Sequence, residues 1–351
     1  MPSAVPARPA RRTPLVTATA LSLALAATAC GTGASDTASS RVQVRIAYQA
    51  IPNADLVVKH QHLLEKALPD VDVKWVKFDS GGDVNTAVIA GAVDLGLAGS
   101  SPVTKGLSAP LNIPYKVLWI HDVIGDNEAL VARKSTGITT VARLKGKKIA
   151  TPFGSTSHYS LLAALQAAGL KQSDVTLIDL QPQDALAAWQ RGDIDAAYVW
   201  TPTLGELHKD GAVLTTSRDI AKSGKPTADL GVVTDDFAAK HPSIVTAWLK
   251  AEDKAVAQAK SDPAEAAASI GAELGISTPE AQAQLKQLVL LSAKQQQGAA
   301  YLGTPAAPGE LADNLRDAAV FLKGQKAVDA VPARSVFTEA LAVKELARAT
   351  R

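Results

Sequence analysis

Residues 42–48 ("VQVRIAY") and 71–78 ("VDVKWVKF") alternate apolar and polar or β-rich positions, the period-two pattern of strands. Between them, Leu56, Val57, Leu63, Leu64 and Ala67 in "ADLVVKHQHLLEKAL" fall on one helical face. "VNTAVIAGAV" reads as a short helix, and "DLGLAG" and "YKVLWIH" read as strands. This alternation runs to about residue 235 and predicts an α/β fold with a largely parallel sheet covered on both faces. Beyond Asp235 the period turns helical, in "SIVTAWLKAEDKAVAQAK", "DPAEAAASIGAEL", "TPEAQAQLKQLVLLSAK" and "ELADNLRDAAVFLKG". Pro242, Pro263 and Pro279 fall at the predicted helix starts, where a missing N–H costs nothing.

The pattern occurs twice. "DVNTAVIAGAVDL" from Asp83 and "DALAAWQRGDIDA" from Asp184 align at an offset of 101, pairing Ala87 with Ala188, Gly91 with Gly192, Val93 with Ile194 and Asp94 with Asp195. Each is a short helix, a glycine that ends it, an aliphatic-Asp pair and a buried strand. The strands then run into Ser101-Pro102 and Thr201-Pro202. The sustained register predicts two lobes of like topology. Lobe 1 is expected over 41–131 plus 232–351, and lobe 2 over 132–231. The C-terminal helices are expected to brace both.

Composition adds little except at the N-terminus. Hydrophobic residues make up 47% and charged residues 20% of the 351, enough for a sizeable core. The formal charge of +2 falls to −1 once Arg8, Arg11 and Arg12 are set aside, so no basic face for nucleic acid is expected. Those arginines, the apolar run Leu15–Ala27 and the small residues after it read as a signal peptide over 1–29. Cys30, the only cysteine, stands where a lipoprotein signal places its lipidated residue, with Ala27 three residues upstream. An ordinary cleavage site and twin-arginine export are the alternatives. Residues 30–40 read as a flexible tether of about 17 Å r.m.s..

The stretch "TPFGSTSHYSLLAAL" (151–165) sets hydroxyls and a histidine before an apolar helix. Three readings are open: N-capping by Ser155 or Thr156, a nucleophilic site of Ser157 with His158, or an anion site at the helix start. Sequence neighbours give no triad geometry. No G-x-S-x-G, G-x-x-x-x-G-K-[ST], H-E-x-x-H or G-x-G-x-x-G motif occurs, so no catalytic residue, metal or cofactor is assigned. The anion reading gains from "LAGSSP" (97–102), a second hydroxyl-rich helix start after a strand, at Ser100 and Ser101. Open α/β sheets bind ligands at such strand ends. Glu128 and Asp229 fall near the two lobe crossings, and Tyr48, Gln49 and Trp200 fall at strand ends. Oxyanion donors facing carboxylates and aromatic rings would suit a small zwitterion.

The runs "FDSG", "LKGKKIATPF", "SHYSLLAAL" and "AAWQRGDIDAAYVW" resemble the taurine and aliphatic-sulfonate binding family, the solute receptors of bacterial ABC importers. That family's relatives include nitrate and thiamine-precursor receptors. The likeness covers roughly residues 42–249. It implies a two-lobed, type II periplasmic-binding-protein fold (a flytrap) and a monomer that binds taurine or another alkanesulfonate. It also implies delivery to a permease with ATPase subunits, from a lipid anchor on the membrane. By the same resemblance, Ser100, Ser101, Thr156 and Ser157 would hold the sulfonate. Glu128 and Asp229 would hold the amine, and Tyr159 and Trp200 would shape the pocket. The other candidate ligand-binding residues are Tyr48, Gln49 and His158. The taurine branch tends to carry Trp where this chain has Gly231, which implies a wider cavity.

Overall fold

The structure, a computed structural model, describes residues 41–350. The expected signal peptide, Cys30 and the tether lie outside the described residues.

Strands β1 (Val42–Gln49), β2 (Val71–Phe78), β3 (Leu95–Gly99) and β4 (Tyr115–Val123) form one sheet, together with the late strand β10 (Ala228–Thr234). The second sheet holds β5 (Glu128–Arg133), β6 (Lys148–Thr151), β7 (Thr176–Asp179), β8 (Ala196–Trp200) and β9 (Gly211–Thr216). The orders are β2-β1-β3-β10-β4 and β7-β6-β8-β5-β9. In both sheets the first three strands are parallel and the fourth position runs antiparallel to its neighbours. The lobes are therefore sisters, and the offset of 101 maps β3 onto β8 residue for residue.

The chain crosses between lobes earlier than the expected boundaries. β5 pairs wholly within the second sheet and β10 wholly within the first. The crossings are therefore residues 124–127 and 223–227, rather than 131/132 and 231/232. The continuous helix expected over 54–68 is also broken. Ala54–His60 and Leu63–Ala67 are separate helices, with His62 at φ +52° between them. Past Asp235 the helices Pro242–Ser261, Pro263–Leu274 and Leu311–Gly324 follow the predicted runs, but the segment after Leu285 is largely irregular.

Alternation along the strands sorts the cores. In lobe 2, Ala129, Val131, Ala197 and Val199 pack under Trp189 of the helix Pro182–Arg191. Leu130, Ala132, Ala196 and Tyr198 pack on the other face, under Leu161 and Leu165 of the helix Thr156–Ala167. In lobe 1 the helix Pro242–Ser261 lays Trp248 against the sheet. Gly231, at the centre of β10, is the contact point. A Cβ there would lie 2.6 Å from Cη2 of Trp248, 3.0 Å from Cβ of Trp119 and 3.2 Å from Nε2 of His121. The space that a side chain would claim is already filled by core. Gly231→Ala should therefore destabilise the fold by about 1–3 kcal/mol through overpacking, read as a lower urea midpoint at unchanged slope.

Candidate ligand-binding site

β5 and β10 run against their neighbours, so their first residues lie at the C-terminal ends of the parallel strands. That places Glu128 opposite Trp200 and Asp229 opposite Gly99. The offset of 101 relates both pairs, so Glu128 and Asp229 are sister positions facing one gap. A narrow cavity lies in that gap, lined by Gln49, Ile51, Gly81, Gly99, Ile124, Asn127, Glu128, Ser155, Thr156, Trp200 and Asp229. The charged lining residues are both acidic.

Helix starts line the cavity as well. The helices Gly81–Ile89, Ser100–Leu107 and Thr156–Ala167 all begin at the cavity. The first amide groups of a helix have no partner within it and carry the positive end of its dipole. Ser80 caps the first helix by accepting from the Asp83 amide, and Ser155 caps the third by accepting from the His158 amide at 3.1 Å. The second helix has Gly99 at its cap position and no side-chain cap. Glycine lets these ends converge. A Cβ on Gly81 would lie 3.1 Å from the Gly99 nitrogen, and one on Gly99 would lie 2.6 Å from Cγ2 of Thr156.

The hydroxyls before the 156–167 helix serve Glu128. Its Oε2 accepts from Oγ1 of Thr156 at 2.6 Å and from Oγ of Ser157 at 2.8 Å, while Oε1 accepts from Oγ of Ser217 at 2.6 Å. Burial pushes the Glu128 carboxyl above its ordinary pKa, and the hydroxyl donors pull it back down. Asp229 has no such cage. Burial first, then the charges of Asp122, Glu128 and Asp55, raise it well above the usual range. Behind it, Oδ2 of Asp122 accepts from Nδ2 of Asn127 at 2.9 Å, and Oδ1 accepts from the Val289 amide at 2.7 Å. Asn127 thereby ties the first crossing to lobe 1. Gln49 donates to the Leu97 carbonyl at 3.0 Å.

The cavity thus brings together Gln49, Glu128, Thr156, Trp200 and Asp229, and leaves the other expected residues outside its lining. Tyr48 turns to the far face of β1, edge-on to Trp75 and under Lys59, because neighbouring strand residues face opposite ways. Tyr159 packs edge-on to Phe321 of the C-terminal helix. His158 stacks on Phe153, and its Nδ1 accepts from the Gly154 amide at 3.1 Å. Burial drives its pKa down to about 4. Ser157 donates to Glu128, so no Ser157–His158 couple exists. Ser100 accepts from the Ala228 amide at 3.1 Å, and Ser101 is buried one residue further along the helix. The hydroxyls of Thr156 and Ser157 are thus spent on Glu128, and Ser100 and Ser101 lie outside the lining. Gly231 does not line the cavity, which removes the basis for a wider one.

Sequence reasoning missed Asn127, Gly81, Gly99 and above all Ser217. The capping pattern Thr216-Ser217-x-Asp219 marks a helix start there, but nothing local points it at Glu128. Ser217→Ala should cost about 1.5–3 kcal/mol of stability, because a buried carboxylate oxygen loses its donor, and chemical denaturation would measure it.

The comparisons with known proteins agree with this fold. The family model described as "NMT1/THI5 like" matches residues 69–266. The taurine-binding periplasmic protein of Escherichia coli (strain K12) is 44% identical over 209 residues, 60% of this chain and 64% of that protein. The chain thus spans slightly under two thirds of that relative. Among solved structures, the alkanesulfonate-binding protein SsuA from Xanthomonas axonopodis pv. citri, bound to MOPS, superimposes with a TM-score of 0.70. It shares 23% identity, over 85% of this chain and 97% of that one. The desulfurization enzyme DSZB has the same fold at a TM-score of 0.63 and 17% identity, over 88% of this chain and 99% of that one. By its matched family model and its two sister lobes, this chain belongs to the NMT1/THI5-like family.

Proposed function

We propose that this chain is the extracytoplasmic solute receptor of an ABC importer and that it binds taurine or a closely related small aminosulfonate between its lobes. The observation that carries the reading is the lining of the cavity, where three helix starts meet Glu128 and Asp229, its charged residues. A sulfonate is a permanent anion with three acceptor oxygens, and uncharged helix amides can satisfy it. An ammonium group answers the two carboxylates through charge-assisted hydrogen bonds. The 44% identity to a taurine-binding protein supports the same ligand class. Nitrate lacks the amine and would leave Asp229 unanswered.

Binding without catalysis is the reading, because Ser157 and His158 are committed to different partners. The mechanism is closure. Gln181 of lobe 2 reaches Ser80 and Asp83 of lobe 1 at 3.4 and 3.3 Å, and Trp200 packs on Ile51 and Leu97. A ligand held by both lobes favours this closed arrangement by its differential affinity for it. The closed receptor would then dock, as a monomer, on a permease with ATPase subunits. Lipidation of Cys30 would hold it at the outer face of the membrane.

Two outcomes test the reading. At 100 times its dissociation constant, taurine should add about 2.7 kcal/mol of apparent stability in a thermal-shift assay, and ethanesulfonate at that concentration should add less. Absence of any taurine response would overturn the ligand. Calorimetric affinity for taurine should also fall as pH drops through the raised pKa of Asp229, since the ammonium needs the ionised carboxylate. Asp229→Asn should cost about 2–5 kcal/mol of binding and flatten that dependence. An unchanged pH slope in the variant would assign the titration to another group.

A further inference from the structure

The two carboxylates have unequal neighbours. Asp229 lies across the strand pair from Gly99, whereas its sister Glu128 lies across from Trp200. Directly opposed residues of an antiparallel pair project to the same face, so the Trp200 indole stands beside Glu128. Ile51 and Leu97 of the other lobe brace it, and it is only 8% exposed. A second cleft lies against Trp200, also between the lobes. Its walls are Phe78 and Pro182, with Lys77, Asp79, Gln183 and Thr203 supplying polar groups. Trp200 is the residue common to the linings of both chambers.

We propose that Trp200 is a specificity-determining partition that limits the ligand at its nitrogen end, and that the chamber behind it is a latent subsite for substituents on that nitrogen. The inference rests on the aminosulfonate reading above. An ammonium held at Glu128 sits next to the indole. A primary amine fits beside it, whereas an N-alkyl group or a morpholine ring runs into the ring system. Removing the indole joins the two chambers. The joined space then accepts the substituent between Phe78 and Pro182, while the sulfonate keeps its place at the helix starts.

Isothermal titration of wild type, Trp200→Phe and Trp200→Ala with taurine, N-methyltaurine and MOPS tests this. Wild type should prefer taurine to MOPS at least 100-fold. Trp200→Ala should narrow that ratio at least tenfold, with Trp200→Phe between the two and N-methyltaurine moving in the same direction. Urea midpoints for each variant show which proteins are folded, and Trp200→Phe keeps the test open if Trp200→Ala is not. A wild type that binds MOPS as tightly as taurine would overturn the partition, and so would folded variants with an unmoved ratio. Failure of wild type to bind taurine would instead overturn the receptor reading, and this inference with it.

Discussion

A carboxylate removed from water must be answered by donors, and Glu128 is 1% exposed. Much of the second lobe is arranged to meet that demand. Thr156 and Ser157 open one helix, Ser217 opens another, and the hydroxyls of all three converge on the two oxygens of one side chain. Each helix start also presents the positive end of its dipole. The surplus of hydroxyls before the 156–167 helix thereby has a local explanation. The anion it holds is the protein's own, and that anion is fixed at the edge of the gap where a cation can use it.

The sister carboxylate is treated differently. Asp229 has no hydroxyl cage and carries the repulsion of Asp122, Glu128 and Asp55. One carboxylate is thus held ready and the other awaits neutralisation. On the proposed reading, a ligand that brings an ammonium would relieve the second without disturbing the first. The symmetry of the two sheets supplies the paired positions, and the departure from it sets tryptophan across from Glu128 and glycine across from Asp229. The proposed receptor function needs no reacting group. It needs a ligand with separated charges to be worth more in the closed state than in the open one.

The fold was largely legible because its signals are local. Period-two runs, helix periodicity and the repeat at an offset of 101 identified both lobes and put Glu128 and Asp229 near the crossings between them. The lobe boundaries came out late, because the crossing strands β5 and β10 look like any other buried strand until their pairing is known. At the site, Gln49, Thr156, Trp200 and Asp229 were found from strand ends and helix starts. Glu128 was named too, but its donor Ser217 was not, since the contact between them spans 89 residues and leaves no periodic trace. Tyr48 failed on strand parity, Tyr159 on helix facing, and Gly231 because Trp248 arrives from a helix outside the repeat.

The account stands or falls on where the positive end of the ligand rests. A crystal structure grown with taurine would measure this directly. The account predicts the ammonium nitrogen within about 3 Å of carboxylate oxygens on both Glu128 and Asp229, with the sulfonate against the helix starts at Gly81, Gly99 and Thr156. Taurine bound the other way round, or outside the gap while Glu128 keeps its three hydroxyls, would contradict it.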